Sequence, residues 1–89
     1  MYNIEITANA ERDIRKLSGS VKRRALEIMD NELSNFPTVT ALKPLQGPEY
    51  GLGCWRKRFR NVWRMCFLVD DERNIITVFK VSHRDKTYR

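Results

Sequence analysis

Three strand-like runs, residues 54–60, 63–69 and 75–82, follow one another with only short turns between them. Short connections leave no room for a crossover, so the C-terminal half is committed to neighbouring antiparallel strands. In the first run Arg56, Arg58 and Arg60 take one face, and Trp55 and Phe59 take the other. In the second, Trp63, Met65, Phe67 and Val69 oppose Arg64, Cys66 and Leu68. Asn61-Val62 reads as a two-residue turn between them, which would pair Arg60 with Trp63 and set Cys66 against Lys57. Asp70 to Asn74 forms the next turn. The third run is apolar on both faces, as a strand inside a sheet should be.

Upstream, Tyr2-Asn3-Ile4-Glu5-Ile6-Thr7 alternates with the period of a half-buried strand. Thr7 is placed to cap a short helix that carries Ala10, Ile14 and Leu17 on one face. Ser18-Gly19-Ser20 interrupts that pattern, and Ser20 is placed to cap a second helix. Its stripe runs through Val21, Ala25, Ile28, Met29, Leu33 and Phe36 until Pro37 ends it. About three residues join the two helices, which favours a helical hairpin. Residues 37–53, with Pro37, Pro44, Gly47, Pro48, Gly51 and Gly53, read as a loop. The expected fold is α+β: a helical hairpin packed on a mostly antiparallel four-stranded sheet, in the order β-α-α-β-β-β. Its 89 residues make one domain with a modest core, and a bound partner would add to its stability.

The net charge of +6 is informative once it is located. Residues 1–53 hold seven Lys/Arg and seven acids, whereas residues 54–89 hold ten against four. The whole excess therefore lies in the strand-rich half, which suggests a surface that meets a polyanion, nucleic acid first. A merely soluble basic face is the blander reading of the same charge. No apolar run approaches the roughly 20 residues that cross a bilayer, so no membrane role is expected. Met1-Tyr2-Asn3-Ile4-Glu5 lacks a signal-peptide layout, and the default compartment is cytoplasmic. There Cys54 and Cys66 are expected as reduced thiols. Two cysteines and one histidine without ligand spacing imply no metal, and nothing implies a cofactor.

If the helices cover the Trp55/Phe59 face, Arg56, Arg58 and Arg60 project from the other. Arg64 joins them across the hairpin. The segment His83-Arg84-Asp85-Lys86-Thr87-Tyr88-Arg89 follows from the central strand and brings an imidazole and a phenol to the edge of this basic surface. Trp55, Trp63, Phe67 and Phe79 are read as core, while Tyr50 and Tyr88 lie outside the strands and suit base stacking. Metal-independent RNA cleavage needs a 2′-OH deprotonated, phosphate charge stabilised and the 5′ oxygen protonated. Guanidinium groups match phosphate oxygens bidentately, but they stay protonated and serve poorly as bases. Proton transfer would then fall to His83, with its suitable intrinsic pKa, or to Tyr88 if neighbouring arginines depress its own.

Several segments carry a family resemblance through their order and spacing. These are Ala10-Glu11-Arg12-Asp13-Ile14-Arg15-Lys16-Leu17, Asn35-Phe36-Pro37, Lys43-Pro44-Leu45-Gln46-Gly47 and Trp55-Arg56-Lys57-Arg58-Phe59. Trp63-Arg64, Asp70-Asp71-Glu72 and Val81-Ser82-His83-Arg84-Asp85-Lys86-Thr87-Tyr88-Arg89 complete the set. Over nearly its whole length the chain resembles toxins of the RelE/ParE superfamily of type II toxin–antitoxin systems. The resemblance implies a cognate antitoxin that wraps the toxin and occludes its basic surface. It implies one of two targets: mRNA in the ribosomal A site, cut by RelE-like members, or DNA gyrase, poisoned by ParE-like members. By position, Arg56 and Arg58 match a basic pair on the family's second strand, Arg64 the arginine after the hairpin turn and Arg84 the arginine after the last strand. Tyr88 matches a tyrosine that stacks near the scissile phosphate.

That set favours a ribosome-dependent mRNA endoribonuclease that inhibits translation. In this reading Arg64, Arg84, Tyr88 and His83 are catalytic, and Arg56, Arg58, Arg60, Lys57 and Lys86 bind phosphate. The alternative is a ParE-like gyrase inhibitor without ribonuclease activity. A third reading is a degenerate member that acts only with its antitoxin, as a complex on operator DNA. Two departures from the family stand out. Arginines replace the lysines usual in the basic pair, one of which is proposed elsewhere as general base. Lys57 occupies a position that is usually apolar.

Overall fold

The computed structural model describes residues 1–45 and 53–84. Strand β1 (Asn3–Ile6) leads into helices α1 (Ala8–Arg15) and α2 (Gly19–Glu27). The second helix runs on through a π-helical turn (Ile28–Glu32) and a 3-10 turn (Leu33–Asn35). Strands β2 (Leu42–Pro44), β3 (Cys54–Phe59), β4 (Trp63–Asp70) and β5 (Ile75–His83) follow. They form a five-stranded sheet in the order β1-β5-β4-β3-β2, with β1 parallel to β5 and the remaining pairs antiparallel. The α+β class and the helices on one side of the sheet hold as expected. The extra strand is β2, which lies inside the segment read as loop: Leu42, Lys43 and Pro44 pair with Lys57, Arg56 and Trp55. An edge strand tolerates a proline, so the proline-rich sequence concealed it.

Thr7 caps α1 as expected, its hydroxyl oxygen accepting the Ala10 N–H at 3.1 Å. The second helix starts earlier than expected. Its cap position is Ser18, whose side chain makes no capping bond, and Ser20 lies inside the helix. The helices bury Ala10, Ile14, Val21, Ala25, Ile28 and Leu33 against Phe59, Met65, Phe67, Ile76, Val78 and Val81 of the sheet. Phe36 seals one end, meeting Trp55 and Phe67 edge-on with ring centroids 5.5 and 6.1 Å apart. Phe67 is fully buried, and Trp55 and Trp63 pack on the core from its margin. Phe79 is only half-buried and stands outside that cluster.

The β3–β4 connection differs from the two-residue turn read in the sequence. Phe59, not Arg60, pairs with Trp63, and Arg60, Asn61 and Val62 form a three-residue loop. Arg60 and Asn61 both take positive φ, 46° and 66°. Asparagine enters that region readily, whereas an arginine gives no sequence warning of it. The shift sets Cys66 opposite Arg56, not Lys57, and Cys54 opposite Leu68. Neither cysteine is in a disulfide, and both are buried.

Candidate nucleic-acid interface

Cross-strand partners in a sheet share a face, so the register can be read as rows running across the strands. On the face away from the helices, one row is Lys43, Arg56, Cys66 and Lys80, from β2 to β5. The next row toward the β3–β4 loop is Arg58, Arg64 and Ser82. Arg84 follows β5 directly, its backbone N–H donating to the Val62 carbonyl at 2.6 Å, which ties the strand end to that loop. A cleft of about 90 Å³ opens at the β2 side, lined by Ala41, Leu42, Lys43, Arg56 and Arg58.

Arg64 is the centre of this arrangement. It is 7% exposed, and its Nη1 donates to the carbonyls of Trp63 and Asn61 at 3.2 and 3.4 Å. Its Nε is buried with no hydrogen-bond partner. Burial pushes its pKa down from the ordinary arginine value, and the charges of Arg56, Arg58 and Arg84 push it the same way. Four guanidinium groups thus lie on one surface, near enough for the charges of the other three to act on Arg64. An anion seated among them would relieve their repulsion and accept several charge-assisted hydrogen bonds. Cys66 lies in the same field. Burial raises its thiol pKa, with Lys80 and Arg56 opposing the rise, and burial also raises that of Cys54. Both remain thiols at neutral pH and offer neither a nucleophile nor a base.

The structure brings together Arg56, Arg58, Arg64 and Arg84 and leaves three other expected residues out. Lys57 points to the helix side and is 3% exposed. Its ammonium donates to the Thr40 carbonyl at 2.8 Å and to the Thr40 hydroxyl at 3.2 Å, and it pairs with Glu32 at 3.3 Å. A phosphate cannot reach it there, so its assignment to RNA binding is corrected to an internal strut. Arg60 leaves the strand at the loop, is exposed and takes no place in the paired rows. His83 is opposite Trp63, on the helix side, with the two rings edge-on at 5.3 Å. It lines a groove of about 500 Å³ together with Asp13, Leu17 and Trp63 on the helix side and with Lys80 and Ser82 of its own strand, at the edge of β5 that β1 leaves uncovered. Tyr88 and Lys86, and the stacking candidate Tyr50, lie outside the described residues. Sequence reasoning missed Lys43 and Lys80: the first sat in a presumed loop, the second in a run with apolar residues on both faces.

Among the described residues no three His, Cys, Asp or Glu side chains are grouped to hold a metal ion, and no helix is long and apolar enough to cross a membrane. The family model described as the ParE toxin of the type II toxin–antitoxin system parDE matches residues 4–88. Toxin RelG of Mycobacterium tuberculosis is 30% identical over 88 residues, covering 99% of this chain and 97% of that protein. A RelBE toxin–antitoxin complex from the same organism superposes with a TM-score of 0.78 at 29% identity, covering 93% of this chain and 98% of that one. The isolated Escherichia coli RelE toxin shares the fold, with a TM-score of 0.74 at 23% identity over 99% of this chain and 92% of that one. With its arginine face and its five-stranded sheet, the chain belongs to the RelE/ParE superfamily as a toxin of a type II toxin–antitoxin system.

Proposed function

We propose that the protein is a ribosome-dependent endoribonuclease that cuts mRNA in the ribosomal A site and is held inactive in the cytoplasm by a cognate antitoxin. The observation that carries this reading is the convergence of Arg56, Arg58 and Arg84 on the buried Arg64. Planar donors clustered this way suit the extra charge that a phosphodiester gathers as its 2′-OH attacks. Arg64 and Arg84 stabilise that charge, while Arg56, Arg58 and Lys86 hold the flanking phosphates. Tyr88 stacks on the base and carries the proton transfer. A site rich in charge stabilisation and poor in bases works slowly on free RNA, which is a reason for cleavage to await a strand ordered by the ribosome. Solved relatives include complexes of RelE with RelB antitoxins, and a basic face of this kind suits an acidic antitoxin segment. The resulting complex is proposed to bind operator DNA.

The matching family model carries the ParE name, and this favours gyrase inhibition as a second reading. Mapping new RNA 5′ ends after brief induction separates the two, with Arg84→Ala as control. Ends within translated codons, absent from the control, establish the ribonuclease. Growth arrest with a DNA-damage response and no new ends establishes the gyrase target.

A further inference from the structure

Strand β5 does not keep its alternation. Ile76 and Val78 are fully buried toward the helices, and period-two continuation would send Lys80, Ser82 and Arg84 the same way. Instead Val78 is opposite Phe67 while Lys80 is opposite Cys66, leaving Phe79 as an extra residue. This β-bulge reverses the two faces downstream. Val81 becomes the buried residue, at 3% exposure, and Lys80 and Ser82 turn to the arginine face.

Beside the bulge, the backbone groups on the β1-side edge of β5 are satisfied from the start of α1. Consecutive carbonyls serve the same edge of β5: Val78 accepts the Thr7 N–H at 3.0 Å and Phe79 accepts the Asn9 side-chain amide at 3.2 Å. The Val81 N–H then donates to the Asp13 carboxylate at 3.0 Å. Strand β1 ends at Ile6, so no strand partner is available along this edge, and α1 supplies side chains in its place. Beyond the bulge only Val81 anchors β5 in the core cluster.

We infer that Asn9 and Asp13 are positioning residues of the arginine face. From α1 they clamp the bulge, and the clamp holds Lys80, Ser82 and Arg84 on the side where Arg56, Arg58 and Arg64 lie. The functional consequence rests on the RNA-binding reading above, whereas the clamp itself does not.

The test combines amide hydrogen exchange with binding of a short single-stranded oligouridylate. In Asp13→Ala, protection is lost at Val81 and its neighbours in β5 while Phe67 and Ile76 stay protected. The same variant binds the oligonucleotide several-fold more weakly, with a salt slope smaller by about one to two. Adding Arg84→Ala to it costs little more, because Arg84 is already misplaced. Asp13→Asn, whose amide oxygen can accept the same N–H, stays near the wild type. Additive losses in the double variant, or unchanged Val81 protection in Asp13→Ala, would overturn the inference. A wild type without RNA affinity removes the RNA reading, and the exchange arm alone then decides the clamp. Asn9→Ala, which removes only the partner of the Phe79 carbonyl, carries the same measurements should Asp13→Ala not fold.

Discussion

Arg58 and Arg64 stand directly opposite each other on adjacent strands, an arrangement that ordinarily destabilises a sheet. A folded chain retains such a pair where the charge serves a ligand, and the penalty is then visible in the free protein. Replacing the exposed Arg58 with Gln should raise the melting temperature by about 1–4 °C, since relief of a solvent-screened pair is worth a few tenths of a kcal/mol. It should also weaken RNA binding several-fold. Calorimetry and a binding titration on the same preparation check both signs, and a loss of stability would mean that Arg58 is held by something other than its role at the face. Lys57 gives the opposite signature. Lys57→Met removes an internal donor to Thr40 and Glu32 and should cost about 1–3 kcal/mol in denaturant unfolding. Its RNA affinity should be unchanged. Reduced affinity with intact stability would return Lys57 to the binding surface.

At the scale of elements, Glu32 joins the π-helical turn to the sheet. Its carboxylate meets Arg24 at 2.6 Å and Lys57 at 3.3 Å. Burial by itself would raise its pKa, but hydrogen bonds and charge from Arg24 and Lys57 outweigh it and hold the carboxyl below the usual glutamate value. A depressed folded pKa contributes stability above the unfolded value, about 4.3, and that contribution is lost as pH falls through the folded one. Wild type should therefore melt above Glu32→Gln near neutrality, and the gap should close as the solution is taken below about pH 4. A gap independent of pH would assign the difference to packing, not charge. The same elements show what could be read in advance. Alternation in β3 and β4 placed Arg56, Arg58 and Arg64 on one face correctly, because Trp55, Phe59, Trp63, Met65 and Phe67 occupy the alternate positions and mark the core side. Strand β5 has apolar residues on both sides, so its parity carried no signal, and the bulge at Phe79 reversed Lys80 and His83 unannounced. Arg60 lost its place because two consecutive left-handed residues absorbed one position of the hairpin. Lys57 looked like one more surface cation, since its partners Thr40 and Glu32 are distant in sequence.

For the molecule as a whole, the net charge of +6 and the row geometry place folding and binding in opposition with respect to salt. In the free protein the arginine face repels itself, and added ions screen that repulsion, so moderate salt should raise stability. Binding runs the other way, because each phosphate neutralised on a single strand releases counterions with a slope of about −0.7. Arg56, Arg58, Arg64 and Arg84 together imply a log–log slope near −3, steeper if Lys43 and Lys80 in the same row also engage. Thermal unfolding and oligonucleotide titration across one series of potassium chloride concentrations measure the two slopes together. Opposite signs are what a preassembled, self-repelling polyanion site requires. If stability fell with salt, the arginines would be held by attractive partners, and the convergence on Arg64 would be a structural network. A binding slope near −1 would leave a single phosphate contact, too few for a face that is to hold a scissile phosphate and its neighbours in line.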